Sequence, residues 1–305
     1  MGESFDSSLL KQLYLPPSSS HKGENGKLMV IGGSHLFHAA VLWSLQIASK
    51  VVDMVFFSSV PENNEIVQKA KSEFRNGILV PRKDIEHYIK EADCVLIGPG
   101  LMRTDTGIKN QESRIKDISG ITQIRDEGEQ TYYLTKYLLK KYPDKKWVVD
   151  GGSLQMLDPD VLLGLEVMPV LTPHTREFEM MKLKIKNEKL QIAMQNAKGE
   201  EQVELFAKNY HAVVLLKGEI DVISNGKETI VVEGGNAGMT KGGTGDVLAG
   251  LIAALGCKND LWLAALAGSY FNKKAGDALF EKVGYYFNAS DLADEIPKVM
   301  KEEIL

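Results

Sequence analysis

Two cysteines, Cys94 and Cys257, are all that this chain of 305 residues holds, and they stand far apart in sequence. That scarcity argues against a disulfide framework or a thiolate metal site. Each cysteine lies in an apolar stretch, the setting of a buried free thiol in a reducing compartment. No apolar run approaches the roughly 20 residues that cross a bilayer. Met1 to Leu15 has no basic start followed by an apolar centre, so no secretory signal is visible. The expectation is a cytoplasmic protein without a membrane partner. An excess of basic charge is missing as well. Lys and Arg number 36 against 41 Asp and Glu, a net charge of −5. That balance argues against a nucleic-acid partner, for which a basic face is expected. An anionic small molecule stays possible, because a local nest of backbone N–H groups binds phosphate inside an acidic protein.

What is present is ordinary globular material, 44% hydrophobic and 25% charged. Residues 1–24, broken by Pro16-Pro17-Ser18-Ser19-Ser20, read as an arm over the body. Lys27–Ile31 is a short apolar strand ending in Gly32-Gly33-Ser34. A helix over Ala39–Ser49 and a strand over Met54–Phe57 follow. This strand, glycine turn, helix, strand order signals a parallel sheet. It continues through strands at Ile78–Val80, Cys94–Ile97, Trp147–Val149, Val170–Leu171 and Val213–Leu216. Helices are expected over Ile85–Glu91, Gln130–Lys141, Leu261–Phe271 and Ile296–Glu303, with two polar helices within Asn187–Lys208. Asn225-Gly226 marks a hairpin between Asp221–Ser224 and Thr229–Val232. Arg103–Glu129 breaks the pattern and reads as a lid, an oligomer contact or an excursion. Without an internal repeat or linker, residues 25–305 form one α/β domain, a single doubly wound, mostly parallel sheet with helices on both faces.

The richest stretch is Asn236 to Leu255. Gly238, Gly242, Gly243 and Gly245 crowd a loop that runs into an apolar helix behind Asp246. Glycine loops of this kind present N–H groups to an anion at a helix N-terminus. Asp246 is then either a base beside bound phosphate or an ordinary N-cap. Other strands also end in polar or glycine-rich tokens: Gly32-Gly33-Ser34, Gly98-Pro99-Gly100, Asp150, Thr172-Pro173-His174 and Lys217-Gly218. Each has a plain alternative, as a tight turn, a helix cap, a surface histidine or a solvated lysine. In open parallel sheets, however, ligands sit beyond the carboxyl ends of the strands. These tokens therefore converge on one crevice.

Together they resemble the nucleotide-dependent NAD(P)H-hydrate dehydratases of the ribokinase-like superfamily. Matching stretches are Lys22-Gly23 with Lys27–Ser34, Val95–Leu101, Val148–Asp150, Leu171–His174 with Glu177-Phe178, Val214–Gly218 and Asn236–Leu255, in the family's order over about residues 22–296. The resemblance implies a ribokinase-like fold and a repair reaction. Hydrated NADH or NADPH loses water at the expense of ATP or ADP, with Mg²⁺, through phosphorylation of the ring hydroxyl and elimination of phosphate. It implies that Asp246 is the general base and that the N–H groups of Gly243, Thr244 and Gly245 stabilise the phosphoryl group. Ala40, Gly100, Met102 and His174, with Asp246, would line the hydrate pocket. Lys217, Gly218, Glu219, Ile220 and Asp221, with Asn236 and Gly245, would hold the adenine nucleotide. Metal ligands are not indicated. A homo-oligomer is implied, and any epimerase is expected on a separate chain. The chain departs from the family in four places. Gly152 stands where a second carboxylate is usual, Met102 replaces a glycine, Lys241 interrupts the glycine loop, and the 103–129 connection is long. A small-molecule kinase of the same superfamily, acting on a hydroxymethylpyrimidine or hydroxyethylthiazole, is the alternative.

Overall fold

The computed structural model describes residues 2–70, 76–104, 108, 115 and 117–305. Among the described residues, ten strands form one sheet. They are β1 (Glu3–Ser4), β2 (Lys27–Ile31), β3 (Met54–Ser58), β4 (Ile78–Leu79), β5 (Cys94–Ile97), β6 (Lys146–Val149), β7 (Val170–Leu171), β8 (Val213–Leu216), β9 (Asp221–Ser224) and β10 (Thr229–Val232). The order across the sheet is β1-β10-β9-β8-β7-β6-β5-β2-β3-β4. Only the β8–β9 and β9–β10 pairings are antiparallel, and the second is the hairpin expected at Asn225-Gly226.

Continuous apolar runs make the central strands, because a parallel sheet covered on both faces leaves no strand residue to water. Successive side chains divide between the faces. Leu28, Val30, Cys94 and Leu96 join one core; Met29, Ile31, Val95 and Ile97 join the other. The first core receives α1 (Ala39–Ala48), α10 (Thr244–Lys258), α11 (Leu261–Val283) and α12 (Ala289–Ile304). The second receives α3 (Ile85–Glu91), α5 (Glu127–Lys141), α8 (Glu188–Asn196) and α9 (Glu200–Tyr210). A doubly wound, mostly parallel α/β sheet, with helices on both faces, is therefore what the chain builds.

Several elements differ from the sequence expectation. Residues 1–24 supply β1, which pairs with β10, and they bury Leu10 and Leu13. The helices α2 (Pro61–Ala70) and α7 (Thr175–Leu183) carry too few core-facing residues to show a periodic stripe. Between α5 and α8 lies also α6 (Gly151–Met156). The last helix starts at Ala289 instead of Ile296, set by a capping box between Asn288 and Asp291, and continues through Pro297. Much of the 103–129 stretch lies outside the described residues. Its described part includes α4 (Ile118–Thr122), which buries Ile118 and Ile121. Cys94 and Cys257 are both buried and free, as expected, and burial of Cys257 against Cys94 pushes its thiol up.

Candidate active site

The sheet changes winding direction between β2 and β5, which are hydrogen-bonded neighbours. Two glycine turns meet there. The Gly33 N–H donates to the Pro99 carbonyl at 2.7 Å, and a side chain at Gly32 would come within 2.3 Å of the same oxygen. Gly100 has φ of 69°, and a Cβ there would lie 3.0 Å from the Ala40 Cβ. Ala40 and Gly100 are thus brought together at the start of α1. Met102 faces a narrow recess lined by Gly33, Ser34, Arg82 and Glu127. Burial lowers the Arg82 guanidinium to about 10, partly offset by Glu127.

The glycine loop after β10 folds into a left-handed turn at Gly243, with φ of 98°. The Trp43 ring closes over it: a Cβ at Gly243 would lie 2.4 Å from ring carbons. Gly243 is the N-cap of α10, so Asp246 is not. Its carboxylate lies in the first turn, left for chemistry by the plain reading's failure. Ser44 Oγ on α1 donates to the Asp246 carbonyl at 2.8 Å, locking the two helices. The Thr244 hydroxyl donates to the carbonyls of Met239 and Lys241, and its N–H reaches the Lys241 carbonyl at 3.4 Å. Lys241 is exposed, but its ammonium is engaged by backbone of a distant segment. Its ammonium donates to the carbonyls of Tyr285 and Phe287 and lies 5.1 Å from the Phe287 ring centre.

Beside the nest opens a cavity of about 690 Å³. It is bordered by His174, Lys217–Glu219, Asp221, Gly234–Ala237, Thr244, Gly245 and Lys273. A nucleotide fits that volume. The structure therefore gathers most of the expected nucleotide residues, and His174 among them, while Ala40, Gly100 and Met102 gather at the β2–β5 junction. Ile220 is exposed. Asp221 is buried and already engaged: it accepts from the Gly218 N–H at 2.9 Å and from Ser269 Oγ at 2.8 Å. Asn236 orders the loop, accepting from the Gly238 N–H and donating to the Gly276 carbonyl. His174 is the N-cap of α7, in a capping box with Glu177.

Between these two groups lies a cluster of buried charge. Asp150 Oδ1 accepts from Thr172 Oγ1 at 2.7 Å and from Lys217 Nζ at 3.0 Å. Burial works against the Lys217 ammonium, but Asp150, Glu177 and Asp246 outweigh it and raise its proton affinity. Asp246 moves the other way from an ordinary carboxylate. Burial first, then the charge of Asp150 and Glu177, push it up to about 7 against the pull of Lys217. A carboxylate that titrates near neutrality has the property of a general base.

Three residues of this region carried no sequence signal. Lys273 on α11 is buried and donates to the carbonyls of Gly218, Glu219 and Gly234, tying together three walls of the cavity. Trp43 and Arg82 sit among helix and loop residues with nothing to mark them. A lysine inside an otherwise apolar helix was the one available hint, and for Lys273 it lay beyond the helix as expected.

A nest at a helix N-terminus, a nucleotide-sized cavity and a doubly wound sheet define the ribokinase-like class, and solved structures agree. An Enterococcus faecalis ribokinase-like superfamily protein superposes with a TM-score of 0.77 at 20% identity, covering 99% of this chain and 96% of that one. The Bacillus subtilis ADP/ATP-dependent NAD(P)H-hydrate dehydratase, co-crystallised with ATP/Mg²⁺, superposes with a TM-score of 0.75 at 21% identity, covering 99% of both chains. Within that class, residues 28–298 match the family model described as NAD(P)H-hydrate dehydratase, and the chain belongs to that family. The Nitrosopumilus maritimus ADP-dependent (S)-NAD(P)H-hydrate dehydratase is 34% identical over 93% of this chain and 91% of its own length. The Methanocaldococcus jannaschii bifunctional NAD(P)H-hydrate repair enzyme is 33% identical over 96% of this chain, which spans 51% of that relative.

Proposed function

We propose that the protein catalyses the nucleotide-dependent dehydration of hydrated NADH or NADPH, restoring the reduced nicotinamide. ADP or ATP occupies the cavity beside β8, with its terminal phosphate at the N-terminus of α10. The hydrate enters from the β2–β5 junction, past Ala40 and Gly100. Asp246 takes the proton of the ring hydroxyl as its oxygen attacks the terminal phosphorus, and the shortened nucleotide departs. Phosphate then leaves the ring carbon while the neighbouring carbon gives up a proton, which restores the double bond. Backbone N–H groups of Gly243 and Gly245 face the transferring group, and an N–H array of this kind stabilises developing charge. His174 stands at the rim between the two ligands.

Magnesium is expected with the nucleotide. Among the described residues no group of three His, Cys, Asp or Glu side chains forms a metal cage.

One observation carries this reading: Asp246, with a proton affinity raised to about 7, stands in the first turn of α10, whose residues Thr244 and Gly245 border the nucleotide-sized cavity. Asp246→Asn keeps the shape and removes the base. Turnover should fall by about 10²–10⁴-fold, while calorimetric binding of ADP or ATP persists. Near-normal turnover in that variant would sink the assignment.

A further inference from the structure

Asp150 has a conspicuous position and no ordinary job. It is the N-cap residue of α6, yet its side chain makes no capping hydrogen bond. It is 3% exposed, so the carboxylate has left water and needs partners. Both of its partners come from neighbouring strand ends: the Thr172 hydroxyl beyond β7 and the Lys217 ammonium beyond β8. The pair with Lys217 is one-sided. Lys217 Nζ lies 3.3 Å from where a Cβ on Gly245 would stand, at the first turn of α10. That helix end carries partial positive charge, which repels an ammonium group. Some negative charge must hold Lys217 there, and Asp150 makes the direct contact.

We propose that Asp150 is a positioning residue: its carboxylate holds the Lys217 ammonium at the phosphoryl site, beside the first turn of α10. This rests on the proposed phosphoryl transfer at that turn. The geometry gives the arrangement a simple logic. Asp150 and Lys217 form a pair whose positive end faces the incoming phosphate and whose negative end faces inward. Asp246 lies in that same first turn; the charge of Asp150 raises its proton affinity and that of Lys217 lowers it. The charged groups facing Asp246 are Asp150 from the end of β6, Lys217 from the end of β8 and Glu177 from α7. Glu177 is held by the His174 N–H and Gln155 Nε2, so it stays in place when the other two are changed.

The test is a double-mutant cycle on kcat and KM for hydrate dehydration in the full chain. Asp150→Asn should lower kcat about tenfold, and Lys217→Met at least as far. If Asp150 acts through Lys217, adding Asp150→Asn to Lys217→Met costs nothing further. Lys217→Gln replaces Lys217→Met if that variant does not fold. A loss in the double variant no larger than in Lys217→Met supports the proposal, since general destabilisation would add. A further loss in the double variant, or a normal kcat in Asp150→Asn, overturns it. Asp246→Asn serves as the control: turnover that survives there overturns the base assignment, whatever the cycle gives.

Discussion

Gly243 meets two demands at once. Its φ of 98° lies in the left-handed region, and the Trp43 ring occupies the space a side chain would need. Gly243→Ala should therefore destabilise the fold by about 1–3 kcal/mol and lower turnover on the order of 10²-fold; a thermal melt beside an activity assay checks both. The glycines of this loop stood out in the sequence, although glycine-rich turns before helices are common and spacing alone left their role open. Lys241 was not legible. Its direction depends on the carbonyls of Tyr285 and Phe287, more than forty residues later, which no local pattern announces. Gly152 has a similar explanation. A Cβ there would fall 2.0 Å from the Leu101 carbonyl, so the carboxylate usual in relatives has no room on this backbone. Asp150, which matches the first carboxylate of the relatives' motif, keeps its place, and its partners Thr172 and Lys217 arrive from two other strand ends.

At the scale of elements, the strands that carry the site read clearly from sequence, and the helices read unevenly. A strand covered on both faces is apolar throughout, so β2, β5 and β8 stood out. The helices α2 and α7 present mostly polar faces and left no stripe to count. The start of α12 was set by the capping box of Asn288 and Asp291, seven residues before the Ile296 expected from the sequence. Two lysines on this framework separate structure from chemistry. Lys273 on α11 braces three walls of the nucleotide cavity, so Lys273→Met should raise the KM for ADP or ATP roughly tenfold, equivalent to about 1.4 kcal/mol, and change kcat less. Lys241→Met frees the 285–287 segment from the glycine loop, so it should lower the melting temperature by a few degrees and leave turnover within about threefold. Steady-state kinetics on both variants decide it. A large loss of kcat in Lys241→Met would mean that the lysine visits the phosphate after all.

For the whole molecule, the order of elements in the sequence implied the doubly wound sheet, and the strand-end tokens implied one crevice. The resemblance assigned separate residues to hydrate and nucleotide, but local pattern did not say where the two sets would stand. The winding reversal between β2 and β5 sets one group of residues apart from the cavity beside β8, and Asp246 stands between the two. Long-range pairing decides this, as it decides that β1 closes the far edge against β10. The N-terminal segment therefore belongs to the same sheet that positions the site. A division into two ligand regions around one carboxylate is the central claim, and one assay reaches it directly. Purified protein is mixed with hydrated NADH, Mg²⁺ and either ADP or ATP, and the absorbance of the reduced nicotinamide is followed together with phosphate release. Recovery of absorbance with stoichiometric phosphate, dependent on nucleotide and lost in Asp246→Asn, is the predicted result. No recovery with either nucleotide, alongside phosphorylation of a hydroxyethylthiazole or hydroxymethylpyrimidine offered in its place, would contradict the account.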